Sequence, residues 1–197
     1  MKTPNPTRRS EQSRRAILSA AIALLGELGY AKLTIEAIAA RAGVGKQTIY
    51  RWWPSKGAVL VDAALSLSED EEGSIALPDT GDLRADLRVV LRAIVDEYND
   101  PAFDTMTRAL TVESLTDPKL NAEITGRVLR PLLEVTKDRL RAGQEAGQVS
   151  EEVDLDLAVE VLYAPIYHRW MLRTNPLTHA YADTVLDLAL KALGPLP

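Results

Sequence analysis

Residues 33–57, LTIEAIAARAGVGKQTIYRWWPSKG, decide the fold of this chain. Thr34 is a good N-cap, and Glu36 places a carboxylate in the first turn, where it suits the positive helix end. Ile35, Ile38, Ala39 and Ala42 fall on one face at helical spacing. Gly43 then ends the helix, because glycine enters the left-handed region without steric cost. Val44 fills the angle of the turn, and Gly45 is a weaker N-cap for a second helix running from Lys46 to about Trp53. Val44 of the turn and Ile49 and Trp53 of that helix face inward, which leaves Lys46, Gln47, Thr48, Tyr50, Arg51 and Trp52 at an exposed end. Pro54 stops it, Ser55 caps the next helix, and Lys56 opens it. Two short helices meeting at a glycine, the second basic and aromatic, have the form of a helix-turn-helix that reads duplex DNA.

Charge points the same way. Residues 1–60 carry ten Lys and Arg against three Glu, a net +7, while the whole chain is −5 and the remainder therefore −12. Such asymmetry marks a nucleic-acid module joined to a part that is not one. A basic front end supplies phosphate neutralisation and counterion release, and an acidic body confines DNA contact to that end.

The arrangement resembles the TetR family of bacterial transcriptional regulators. The matching positions begin at Arg14-Arg15-Ala16-Ile17-Leu18 and continue through Ala20-Ala21 and Leu28-Gly29-Tyr30. They take in Thr34 to Ala39 and Ala42-Gly43-Val44, and close with Thr48 to Lys56. Gly45 departs from the pattern, where serine or another capping residue is frequent, and so does Trp53, where phenylalanine is commoner. The resemblance implies an all-α fold with a three-helix DNA-binding head (1–54) and a helical body (55–197) that binds an effector and dimerises. It also implies phosphate contacts from Thr34, Tyr50 and Lys56. The full set of residues expected at DNA is Thr34, Gly45, Lys46, Gln47, Thr48, Tyr50, Arg51, Trp52 and Lys56. Gln47 suits an adenine edge, and Arg51 a guanine or a phosphate. Arg8, Arg9, Arg14 and Arg15 are expected to reach the DNA backbone or minor groove from a flexible arm.

Composition narrows the remaining possibilities. There is no cysteine, hence no disulfide, no thiol nucleophile and no cysteine-rich zinc site. No apolar run approaches the roughly 18 residues that span a bilayer, and residues 1–13 lack an apolar secretion segment, so a cytoplasmic protein is expected. No catalytic constellation is evident, and no cofactor is expected. Glu151-Glu152 and Asp154-Asp156 sit where a helix start calls for carboxylates. His168 and His179 lack a partner at i+4, so no metal site is expected.

Beyond the acidic, breaker-rich stretch 68–82, read as a helix end plus loop, apolar residues recur every three or four positions. Five body helices are expected, opened by Asp82, Pro101, Pro118, Asp154 and Thr178, which with the head and a connecting helix makes nine. The next-to-last carries two stripes: Leu155, Val159, Leu162 and Ile166 form one, and Tyr163, Tyr167 and Trp170 the other, with Pro165 expected to kink it. Both stripes need cover, which a second copy would supply. The aromatic stripe suits core or dimer packing, a cavity wall or another partner's surface. With Phe103, Met106 and Leu110 it provides the expected walls for an apolar, neutral or cationic effector. The expectation is a homodimeric, effector-responsive repressor of a near-palindromic operator. A regulator without effector, or a helical enzyme or carrier, are the alternatives.

Overall fold

The computed structural model describes residues 6–68 and 77–194. Among these, ten α-helices occur and no strand: α1 (Pro6–Leu28), α2 (Ile35–Ala42), α3 (Lys46–Tyr50), α4 (Lys56–Ser68), α5 (Leu83–Asn99), α6 (Pro101–Ser114), α7 (Pro118–Ile124), α8 (Arg130–Glu145), α9 (Leu155–Leu172) and α10 (His179–Leu193). Asp82, Asp154 and Thr178 cap their helices through side-chain oxygens, as their positions in the sequence predict, and Asp117, read from the sequence only as the close of the preceding helix, caps α7 in the same way.

The helix expected from Pro118 to Gly147 is a single path with a fault in it. Residues Thr125–Leu129 form a π turn between α7 and α8. Pro131, on the C-terminal side, has no N–H to give to the carbonyl of Arg127 and would crowd it in a regular helix. A wider turn at this point relieves that conflict. Of the acidic stretch, Ser68 ends α4 and residues 77–82 are irregular, while 69–76 lie outside the described residues.

The chain divides into two compact units. One joins the described residues up to Ser68 with Ala102–Val128; the other joins 77–101 with 129–194. Packing therefore does not divide the chain at residue 54, because α4 and most of α6 and α7 share a core with the first three helices. That core contains Ile17, Leu24, Ile38, Ile49, Trp53, Leu60, Met106, Leu110 and Leu120. Here α1 packs on α2 and α4, α2 on α3, and α4 on α7. The α4–α7 approach depends on Gly57, where a Cβ would lie 2.9 Å from the Leu120 side chain.

In the other unit α5 packs on α8, α9 and α10, and α9 packs on α8 and α10. Leu87, Leu91, Leu140, Leu162, Ile166 and Leu186 are its most buried residues. Its core holds a buried ion pair, with Asp79 also 3.5 Å from the same arginine. Asp86 of α5 accepts from Arg139 of α8 at 2.7 and 3.0 Å and from the Thr80 hydroxyl at 2.7 Å, with Asp86 and Arg139 only 2% and 6% exposed. Burial alone would raise the Asp86 pKa; the bonds from Thr80 and Arg139 outweigh it and hold the carboxyl below its ordinary value. Outside this core, Arg92 meets Asp183 through two nitrogens at 2.6 and 3.0 Å, and Arg84 meets Asp187 at 2.6 Å, tying α5 to α10.

Candidate nucleic-acid interface

The turn from α2 to α3 is built as the residue types require. The Thr34 hydroxyl accepts the Ala37 N–H at 3.1 Å. Gly43 adopts φ 66°, ψ 32°, and its N–H points back to the carbonyls of Ala39 and Ala40. Gly45 caps α3 without a side-chain bond. Regular helix ends at Tyr50, three residues before the expected limit. Arg51 and Trp53 still donate to Gln47 and Ile49 across a final turn, and Pro54 then denies the helix a continuation.

Two anchors hold this segment. Ile49 is fully buried and Trp53 is 3% exposed. Around them Thr34, Gly45, Lys46, Gln47, Tyr50 and Arg51 are exposed, and Thr48 is half-buried. Trp52, expected to be exposed beside Tyr50, is half-buried. It meets Trp53 edge-on, with ring centroids 5.3 Å apart, and packs against the core. The Arg51 guanidinium lies 5.1 Å from the centre of the Trp52 ring, a cation–π distance.

The basic side chains are not all equally available. The Lys46 ammonium sits 3.0 Å from Glu36, and Arg41 forms a two-point pair with Glu27 at 2.7 and 3.0 Å. Lys56 is half-buried. Its ammonium donates to the carbonyls of Tyr30 and Leu33 at 2.8 and 3.1 Å and lies 4.2 Å from the centre of the Tyr30 ring. Two of its three N–H groups thus clip the start of α4 to the α1–α2 connection. Burial, with Glu113 and Asp117 nearby, pushes the Tyr30 phenol up to about 12, so it stays protonated beneath that ammonium.

The flexible arm expected at the N-terminus is not what the structure shows. Arg8, Arg9, Arg14 and Arg15 all lie within α1, whose helix begins at Pro6. Arg14 faces Asp62 of α4 at 3.5 Å, whereas Arg15 is exposed. Proline at the first helical position is tolerated because its missing N–H would be unpaired there anyway.

The six residues expected to line an effector site divide between the two cores. Met106 and Leu110 are buried in the core of the first unit, and Phe103 is half-buried. In the second unit Trp170 stacks on Tyr98 of α5 at 4.5 Å, the Tyr163 hydroxyl meets Thr136 of α8 at 2.7 Å, and Tyr167 is 39% exposed beside Trp170. The aromatic stripe of α9 is therefore turned largely toward α5 and α8. A different face of α9 is uncovered: Leu157, Val161, Ala164, His168 and Leu172, spaced three or four apart, are all exposed. On α10, Leu188 is 63% exposed. His179 meets Asp96 at 2.7 Å. Among the described residues no group of three potential metal ligands occurs, and no helix is long and apolar enough to cross a membrane.

Known proteins share this architecture and sequence. Residues 17–63 match the family described as bacterial regulatory proteins, tetR family, and residues 77–189 match the tetracyclin repressor-like C-terminal domain. The HTH-type transcriptional regulator YdeS of Bacillus subtilis is 33% identical, with 93% of this chain and 89% of that protein aligned. The DNA-binding transcriptional repressor TetR of Mycobacteroides abscessus is 30% identical over 94% of this chain and 95% of its own length. Among solved structures, the TetR family transcription regulator SCO0332 superposes with a TM-score of 0.75 at 32% identity, covering 93% of this chain and all of that one.

Proposed function

Because the chain belongs to the TetR family and is a DNA-binding transcriptional regulator, we propose that it works as a homodimeric repressor whose α3 enters a major groove in each half of a near-palindromic operator. The observation that carries this reading is the division of labour on α3 and the turn that follows it. Ile49 and Trp53 are sunk in the core, while Lys46, Gln47, Tyr50 and Arg51 project to solvent. Gln47 pairs with an adenine edge and Arg51 with a guanine or a phosphate, and Thr34 and Tyr50 fix register on the backbone. Two-fold symmetry sets the recognition helices about one DNA turn, roughly 34–36 Å, apart. Lys56 serves the same end mainly by holding the head together through its two carbonyl bonds.

The dimer forms through α9 and α10. The exposed stripe Leu157, Val161, Leu172 and Leu188 supports this, since an apolar helix face of that length is normally covered. An apolar effector held by the body favours a dimer with mis-spaced heads and so releases the operator. Tyr167, exposed beside Trp170, is the ring of the α9 stripe with most surface to offer it. As a DNA-binding regulator of this type the protein works in the cytoplasm and catalyses no reaction.

Gel-shift titrations of Gln47→Ala and Arg51→Ala against the operator, at several salt concentrations, test the reading. Each variant is expected to lose affinity for the operator more than for unrelated DNA. Equal affinity to wild type in both variants overturns the placement of α3. An effector, once found, must weaken DNA binding by the factor by which DNA weakens its own binding.

A further inference from the structure

Trp53 is nearly inaccessible, yet its indole N–H is not idle: it donates to a carboxylate oxygen of Asp62 on α4 at 2.8 Å. The other oxygen of Asp62 accepts from the guanidinium of Arg127, in the π turn, and Arg14 of α1 approaches at 3.5 Å. Arg127 is steadied in turn by Glu123 at 3.0 Å. One half-buried carboxylate thus joins α1, the end of the recognition segment, α4 and the π turn. Phenylalanine at position 53 would keep an aromatic ring in the core, though a smaller one, and has no N–H to donate.

From Asp62 a chain of contacts leads to the DNA-facing surface. Trp53 holds Trp52 edge-on at 5.3 Å, and Trp52 carries the Arg51 guanidinium over its ring at 5.1 Å. The Trp53 backbone N–H is also bonded to the Ile49 carbonyl at 2.9 Å, so the indole and the last turn of α3 share one placement. We propose that Asp62, which is on α4 and not on the recognition helix, is a positioning residue for operator binding: it sets Trp53, and through the Trp53–Trp52 pair the pose of Arg51, with Arg127 of the π turn fixing Asp62. This rests on Arg51 being a DNA contact.

The geometry fits the chemistry of each member. A carboxylate accepts several charge-assisted bonds at once, which a neutral amide does not do equally well. Burial would raise the Asp62 pKa, but the bonds from Arg127 and Trp53, with the charges of Arg127 and Arg14, hold it below its ordinary value. It is therefore ionised throughout the range in which a regulator binds DNA. Arg127 reaches it from the one stretch between α7 and α8 where the helix is not α-helical, so the bond depends on the local register that Pro131 imposes.

The experiment is a set of operator titrations on full-length dimers, with folding followed by thermal unfolding. Asp62→Asn and Trp53→Phe are each expected to weaken operator binding about tenfold. In an R51A background the same substitutions are expected to cost less than about twofold, because the residue they position has gone. Arg127→Lys, which keeps a cation for Asp62, is expected to retain more affinity than Arg127→Ala. The indole resonance of Trp52, which has no bond to Asp62, is expected to shift in Asp62→Asn. Equal losses in both backgrounds overturn the proposal and leave Asp62 a purely structural residue. So does wild-type affinity in Trp53→Phe, the variant that keeps an aromatic ring in the core if Asp62→Asn fails to fold, its melting temperature reading the cost of the smaller ring. Wild-type affinity in Arg51→Ala itself overturns the DNA reading of that residue and the proposal with it; a normal Arg51→Ala defect with additive Asp62→Asn losses overturns the proposal alone.

Discussion

Helices α3 and α9 solve opposite problems. The five residues of α3 bury one side chain, Ile49, half-bury Thr48 and display the other three; the eighteen of α9 bury Ala158, Val159, Leu162, Ile166 and Trp170 and still leave Leu157, Val161 and Leu172 uncovered. A helix as short as α3 has marginal stability of its own. It is held by its neighbours, through Val44, Ile49 and Trp53, and its outward residues Gln47 and Tyr50 project to solvent. Helix α9 is apolar nearly all round, so it carries more than one interface. The difference teaches that polar and aromatic residues on a short, anchored helix point to a partner directly, whereas apolar residues on a long one do so only after its own core has been subtracted.

The largest effect expected from breaking this contrast lies in the body. Asp86→Ala leaves the buried Arg139 guanidinium only the exposed Asp79 carboxylate at 3.5 Å and should cost about 3 kcal/mol of stability, read by urea unfolding. Replacing the pair together with apolar residues of similar volume should recover most of it. The proposed DNA contacts of α3 contribute nothing to this loss. If Asp86→Ala unfolds at the wild-type denaturant concentration, the ion pair does not matter to the body.

Next comes the uncovered face of α9 and α10. Leu188→Glu and Leu157→Glu should each weaken the dimer by about 2 kcal/mol or more if they sit at its centre. Sedimentation at micromolar concentration then shows monomers that remain helical. A dimer unaffected by both would move the interface elsewhere. Just past α3, Arg51→Ala should cost about 1–3 kcal/mol of operator binding, with an unchanged melting temperature, because no buried group is disturbed. The smallest effect is at Thr34. Thr34→Ala removes the cap of α2 and should lower stability by about 1 kcal/mol, seen as a small fall in the melting temperature alongside any loss of phosphate contact.

Acid sharpens the comparison further. The pKa values of Asp62 and Asp86 are both lowered from 3.8 in the folded chain. A carboxyl lowered on folding adds stability that is complete above its unfolded pKa and is lost as pH falls through the lower folded value. Stability should therefore be flat with respect to these groups at neutral pH and drop only below about 3.8. Asp86→Asn should flatten that acid limb. An unchanged limb in that variant would mean other carboxylates govern it.

Much of α2 and α3 was legible because the signals are local. Thr34, Gly43, Gly45 and Pro54 each act on the backbone within a few residues, so their effects follow from residue type. The same holds for Asp82, Asp154 and Thr178 at the body helices. The π turn was not legible, although Pro131 was its visible cause, because a proline can be relieved by a kink, a break or a wider turn. Lys56 and Arg14 read as cations available to phosphate; their partners, the carbonyls of Tyr30 and Leu33 and the Asp62 carboxylate, are 23 to 48 residues away in the chain.

By itself the sequence determined that this is an all-helical regulator with a DNA-reading helix-turn-helix near its front, because caps, glycines and apolar period act over one or two turns and leave little choice. Only the tertiary structure decided which cations are committed to the protein's own core, which stripe of α9 turns inward to Tyr98 and Thr136, and that Asp62 gathers Trp53, Arg127 and Arg14. Those outcomes depend on side chains from distant segments meeting at hydrogen-bond range, and a helical period specifies which face a residue occupies but not what lies opposite it.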